Sequence, residues 1–255
     1  MITKLFLIIF IFSCSLFSSS TLAVVSKTKG NVKHKTKSDK ELGSAKIGME
    51  LFNNDFIQTG QNGFAKYVYL DDGTQIKVHN NSEVYIRGEV ERRSIIKQLK
   101  VDEGTVKFDV KKQSVDEFTV ITPTSVASVK GTSFWIDCSG NNGDQFFGES
   151  GSVVIRNRES GARKQLTKNT VANSLPDGSL KLREITPQEL EMLKKREVDT
   201  GESPTNTINN EAGSSSQDSE NEILIEFEDE TGEKKTITCL LYTSDAADEE
   251  DSVDL

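Results

Sequence analysis

Cysteine is scarce in this 255-residue chain, limited to Cys14, Cys138 and Cys239. Cys14 sits in an apolar N-terminal segment and Cys239 in an adapter-like tail, which leaves Cys138 as the one thiol of the mature β module. No intramolecular disulfide is therefore available, and the fold must be held by its core. Cys138 reads as a small core residue in the strand opened by Phe134. Histidine is limited to His34 and His79, far apart and without a His-x-His pair, so the metal cluster of a cupin-type jelly roll is not expected. No Gly-x-Ser-x-Gly nucleophile elbow occurs, and Gly148-Glu149-Ser150-Gly151 reads as a turn before a strand. Asp71 and Asp72 are adjacent in a hairpin, so their side chains are expected to diverge rather than pair as acid and base. The Asn141-Asn142-Gly143-Asp144 loop lacks the spaced acids of a calcium loop. These absences argue against an enzyme: no catalytic residue, metal ligand or cofactor is expected.

Long hydrophobic runs are missing too. Lys4 gives a short positive region, and Leu5 to Phe12 are apolar but too few for a membrane span. The small residues of Thr21-Leu22-Ala23 fit leader removal after Ala23, so residues 1–23 read as a signal peptide. Lipid attachment at Cys14 is the alternative. Either way the expected location is outside the cytoplasm, periplasmic or at the cell surface.

Charge is unevenly placed. Residues 200–255 carry sixteen Asp/Glu against Lys234 and Lys235, a net of −14, so the total of −9 leaves the first 199 residues at +5. The lysines near the N-terminus are dispersed, without the clustered arginines and aromatics of a nucleic-acid site. No nucleic-acid partner is expected.

Residues 24–183 read as short strands between turns. Phe64 to Leu70 and Gln75 to His79 flank Asp71-Asp72-Gly73-Thr74, a hairpin with turn chemistry. Lys97 to Asp102 and Thr105 to Lys111 are expected to pair around Glu103-Gly104. In the second of these, Val106, Phe108 and Val110 share one face and Lys107, Asp109 and Lys111 the other, as in a sheet with one wet side. Thr122 and Pro123 close one strand, a short strand follows, and a Gly131-Thr132 corner leads into the strand beginning at Phe134. The pattern predicts an all-β, two-layer antiparallel sandwich or barrel.

The one good helical signal spans 184–199. Thr186-Pro187-Gln188-Glu189 is a capping box with proline at the first helical position, and the helix is expected to pack on a sandwich edge or to fray. Residues 200–221 read as a flexible acidic linker. Residues 222–238 hold two strand-like runs around Asp229-Glu230-Thr231-Gly232. From Cys239 to Leu255 the chain reads as an assembly scar, because Cys239 to Glu249 resembles the translation of a sequencing adapter.

An ordered set of residues between Gly30 and Asp177 resembles the FecR domain, an envelope module named after a regulator of ferric citrate uptake. Gly30-Asn31-Val32, Gly43, Gly48, Asp55 and Thr59-Gly60 match its opening, and Asp72-Gly73-Thr74, Leu99, Gly104 and Val106 its middle. Thr122, Pro123, Gly131, Thr132 and Phe134 match its closing signature, continued by Glu149 to Val153; their roles read as structural. The resemblance implies a jelly-roll-like two-layer fold. Family regulators carry a sigma-binding region before a membrane span, and only Met1 to Lys4 precede the apolar segment here, so anti-sigma activity is not carried over. Three readings stay open: an envelope module binding a protein partner, a glycan- or peptidoglycan-binding module using Trp135 or Tyr67 and Tyr69, and an accessory domain of a longer protein. The first is favoured, with its contact residues unassigned.

Overall fold

The computed structural model describes residues 20–92, 94–113, 117–139 and 142–201, together with the backbone of 222–228 and 234–240. Residues 1–19, 202–221 and 241–255 lie outside that set, as does Asn141. In chain order the strands are β1 (Ala23–Lys29), β2 (Val32–Lys35), β3 (Gly43–Ser44), β4 (Glu50–Leu51), β5 (Asp55–Thr59), β6 (Phe64–Tyr69), β7 (Gln75–Val78), β8 (Glu83–Glu91) and β9 (Ser94–Asp109). They continue as β10 (Phe118–Ile121), β11 (Ser125–Val129), β12 (Ser133–Cys138), β13 (Asp144–Ser150), β14 (Ser152–Asn157), β15 (Arg163–Thr167), β16 (Thr170–Ser174) and β17 (Leu180–Glu184). Helix α1 (Pro187–Asp199) follows, and then the hairpin β18 (Glu222–Glu228) and β19 (Lys234–Leu240).

The long strand β9 belongs to two sheets. Its first part pairs with β8 and, in parallel, with β10; its last part pairs with β7 and β12. One sheet runs β4-β1-β6-β7-β9-β12-β13-β16-β17, and the other runs β3-β2-β5-β8-β9-β10-β11-β14-β15. Beyond β9 the chain lays hairpins outward on alternate sheets. This is the expected all-β, two-layer arrangement, with a single parallel pairing among the described strands, β9–β10. Short period-2 strands face one shared core, in which Tyr69 and Phe108 of one sheet meet Phe118 of the other at ring distances of 5.7 and 6.0 Å.

The Glu103-Gly104 hairpin expected from sequence is absent. Gly104 instead kinks a continuous strand at φ +93°, where it passes from one sheet to the other. A Cβ there would collide with the Ser82 hydroxyl and the Asn81 carbonyl, so only glycine fits. The Ser82 hydroxyl also accepts the Thr105 amide at 2.9 Å. A local turn signal here serves a change of sheet.

Helix α1 begins as expected, with both halves of the Thr186–Glu189 capping box formed. It differs in where it lies: across the outer face of the first sheet, covering central strands, rather than on an edge. Leu193 packs with Trp135, Phe147 and Val171, from β12, β13 and β16. That face is consequently not wet at Lys107, which is fully buried.

The proposed leader boundary after Ala23 falls at the start of β1, where both Leu22 and Ala23 are buried. Strand β19 reaches Leu240, two residues into the segment that resembles an adapter.

Candidate functional site

The Thr122-Pro123 corner joins β10 to β11, and its polar groups converge on one buried carboxylate. Asp144, at the start of β13, accepts from the Thr122 hydroxyl at 2.6 Å, from the Thr124 amide at 2.9 Å and from the Thr124 hydroxyl. The Thr122 oxygen in turn accepts the Ser125 amide at 3.0 Å. Ser174 bridges the corner to β14, bonding Ser125 at 2.7 Å and the Asn157 amide nitrogen at 2.8 Å. Pro123 leaves its carbonyl to the Arg158 guanidinium, 3.1 Å away. A buried carboxylate is tolerable when several donors meet it, and here the donors come from the sequence signature. Asp144 was expected to be a loop residue; it is the corner's anchor. Burial, with Asp144 adding to it, pushes the neighbouring Cys138 thiol well above its usual range, so this cysteine is an inert core group.

Gly131 and Thr132 carry the chain from β11 in one sheet to β12 in the other. Gly131 has φ +138°, and a Cβ there would come within 3.0 Å of the Lys112 Cα. Thr132 exchanges backbone bonds of 3.1 Å with Val110, and its hydroxyl donates to the Ser152 carbonyl at 2.9 Å. Phe134 then enters the core, stacked on Phe108 at 4.6 Å with ring planes 10° apart. The crossing borders a groove of about 700 Å³ lined by Gly131, Thr132, Gly151, the exposed Lys112 and Lys130, and the carboxylates of Asp109 and Glu149.

On the outer face of the first sheet, Lys27, Lys66, Lys77 and Lys107 are successive cross-strand partners on β1, β6, β7 and β9. Like charges directly opposite one another repel, so this row requires a counter-charge. α1 supplies it. The Glu197 carboxylate, 3% exposed, lies 2.7 Å from the Lys77 ammonium and 2.9 Å from that of Lys107. Glu149 and Asp109 add contacts at 3.1 and 3.5 Å. Past the helix end, Lys29 and Lys27 donate to the carbonyls of Asp199 and Gly201 at 2.6 and 3.2 Å, where the helix dipole is negative. Lys107 also lies 5.3 Å from the Trp135 ring centre.

The remaining sequence candidates are dispersed. His34 bonds Asp55 at 2.8 Å, whereas His79 packs against Trp135 at 4.9 Å and Phe64 at 5.3 Å. Among the described residues no group of three or more His, Cys, Asp and Glu is placed to hold a metal ion. Asp71 and Asp72 do not diverge as expected: both reach Lys97, at 2.6 and 3.0 Å. Asp71 additionally accepts the Ile95 amide, and Asp72 the Thr74 amide. Trp135, Tyr67 and Tyr69 are buried at 2%, 0% and 0% exposure, which removes them as a platform for sugars. The Asp144 and Glu197 clusters escaped sequence reading because each joins residues distant in the chain.

This geometry defines a β-sandwich module whose polar clusters fix corners and dock a helix. Residues 55–146 match the family model described as FecR protein, in agreement with the resemblance noted from the motifs. Two crystal structures of a putative anti-sigma factor from Parabacteroides distasonis, at 2.50 and 1.65 Å, are each 20% identical to this chain with a TM-score of 0.45. They cover 53% and 54% of this chain, which in turn spans 62% and 63% of theirs, less than two thirds of their length. At that score the likeness bears on neither partner nor activity. No curated protein matches the chain. The family match supports a regulatory, non-enzymatic module.

Proposed function

We propose that this chain is an exported envelope module that binds a protein partner in a sensory or scaffolding role, without catalysis of its own. The observation that carries this reading is the FecR match over residues 55–146. The polar residues of that signature are engaged in holding the scaffold, which leaves recognition to the surface. The Gly131–Thr132 groove suits a partner loop bearing acidic side chains. It lies where two crossing segments meet, with Gly151 packed against the Gly131 carbonyl, and its lysines, Lys111, Lys112 and Lys130, outnumber its acids, Asp109 and Glu149. A module of this kind signals by binding one state of its partner more tightly than another.

The test is a cross-linked pull-down of the full chain from native envelope, with mass spectrometry and glycan analysis of the retained material. Recovery of a membrane transporter or regulator, lost in a Lys112→Glu/Lys130→Glu variant, supports the reading. Recovery of peptidoglycan or polysaccharide alone replaces it with surface anchoring.

A further inference from the structure

The first strand of the sandwich starts too early for a leader that ends at Ala23. Ala23 has no exposed surface and pairs with Leu51 on one side and Tyr69 on the other. Leu22 is 1% exposed; its amide donates to the Leu51 carbonyl at 2.8 Å, and its carbonyl accepts the Leu70 amide at 3.1 Å. Its side chain lies over Gly88, where an added Cβ would come within 3.2 Å of a Leu22 methyl. Thr21 is tied down as well, its hydroxyl donating to Glu50 at 3.0 Å. Ser20, one residue earlier, is exposed.

A chain beginning at Val24 would lose a buried leucine, a buried alanine and both backbone bonds of Leu22. It would also place a new ammonium at a residue only 8% exposed inside the sheet. The lost leucine leaves a cavity, and the acid that faces Val24 across β4, Glu50, is exposed to solvent rather than buried beside the new charge.

Resting on the export reading, we infer that the leader is cut between Ser20 and Thr21, so that Thr21-Leu22-Ala23 open the mature chain. The sequence on the other side of that bond suits a leader. Leu5 to Phe17 form an apolar stretch interrupted only by Ser13-Cys14-Ser15, and Ser18 and Ser20 put small residues at −3 and −1. The scissile bond thereby sits at the point where the chain passes from exposed to buried.

The experiment expresses the full chain in a bacterial host with a leader peptidase and reads the N-terminus of the envelope-fraction protein by intact mass and sequencing. A start at Thr21 is expected, and Ser20→Phe should accumulate the precursor. A start at Val24, or normal processing of Ser20→Phe, overturns the inference while leaving export intact. A lipid-bearing start at Cys14 overturns the Ser20–Thr21 bond. A cytosolic chain with its leader intact overturns the export reading, and the inference with it. Independently of export, chains running from Thr21 and from Val24 to Leu255 are compared by thermal melting. The shorter chain should melt about 10 °C lower, from the loss of a buried leucine in a domain of this size. Equal melting temperatures overturn the structural ground for the inference.

Discussion

Glu197 offers the sharpest test of how the helix is held. Its carboxylate contacts two ammonium groups, those of Lys77 and Lys107, and all three side chains are almost wholly buried. Replacing Glu197 by glutamine preserves shape and removes the charge, leaving two buried lysines short of compensation. Removing one partner of such a pair costs about 3–5 kcal/mol. Lys107 keeps Glu149 at 3.1 Å and Lys77 keeps Asp109 at 3.5 Å, which places the expectation at the lower end, about 3 kcal/mol. The main apolar attachment of α1 is Leu193, worth about 2 kcal/mol on burial. The electrostatic loss exceeds that contribution and leaves the end of α1 to Arg196, which bonds Thr105 and Asp137, and to Lys27 and Lys29, so the helix should loosen on the sheet. Trp135, the only tryptophan, lies beneath it and reports the event directly. Glu197→Gln should red-shift Trp135 emission and raise acrylamide quenching, whereas Glu191→Gln, on the exposed side of α1, should do neither. Unchanged emission and quenching in Glu197→Gln, with an unchanged melting temperature, would refute the argument.

Asp144→Ala strands the Thr124 amide and leaves the Thr122 and Thr124 hydroxyls only their longer bonds to the Ser125 and Ser174 carbonyls, and should cost about 2–3 kcal/mol in denaturant melts, against about 1 for Thr122→Val; equal midpoints for the two variants would contradict the anchoring role. Gly131→Ala forces a side chain into positive φ against Lys112 and should destabilise the fold by about 1–3 kcal/mol, read by the same melts. The Arg183 guanidinium and the Thr186 cap lower the Glu189 pKa from 4.5 to about 2. A depressed folded pKa contributes stability that is present above 4.5 and lost as pH falls towards 2. Far-ultraviolet dichroism of wild type minus Glu189→Gln should therefore show helix loss within that window, and a flat difference would remove the cap from the account.

How much of this was legible depended on the reach of each signal. The capping box of α1 lies within four consecutive residues, so local rules placed the helix start correctly. Alternation in β9 put Val106 and Phe108 in the core for the same reason. The same alternation placed Lys107 in water, because nothing near residue 107 announces that Glu197 will cover it. Glu103-Gly104 read as a turn since glycine permits both a reversal and a kink; the deciding clash with Ser82 and Asn81 comes from another strand. Thr122, Gly131 and Phe134 were recognisable as a motif, but their shared purpose emerged only with Asp144 and Lys112 in place. The matched span 55–146 ends two residues beyond Asp144 and so takes in that anchor.

The shared strand β9 acts as a keel. Both leaves of the sandwich are hung from the same run of backbone, on each side of Gly104. Neither leaf can peel away or melt without disordering a strand whose other half carries the hydrogen bonds of the second leaf. The amides of β9 should accordingly be among the last to exchange with solvent. Any message this domain passes on must then travel along its rim, through outer hairpins and the helix laid over its side, while the keel stays still.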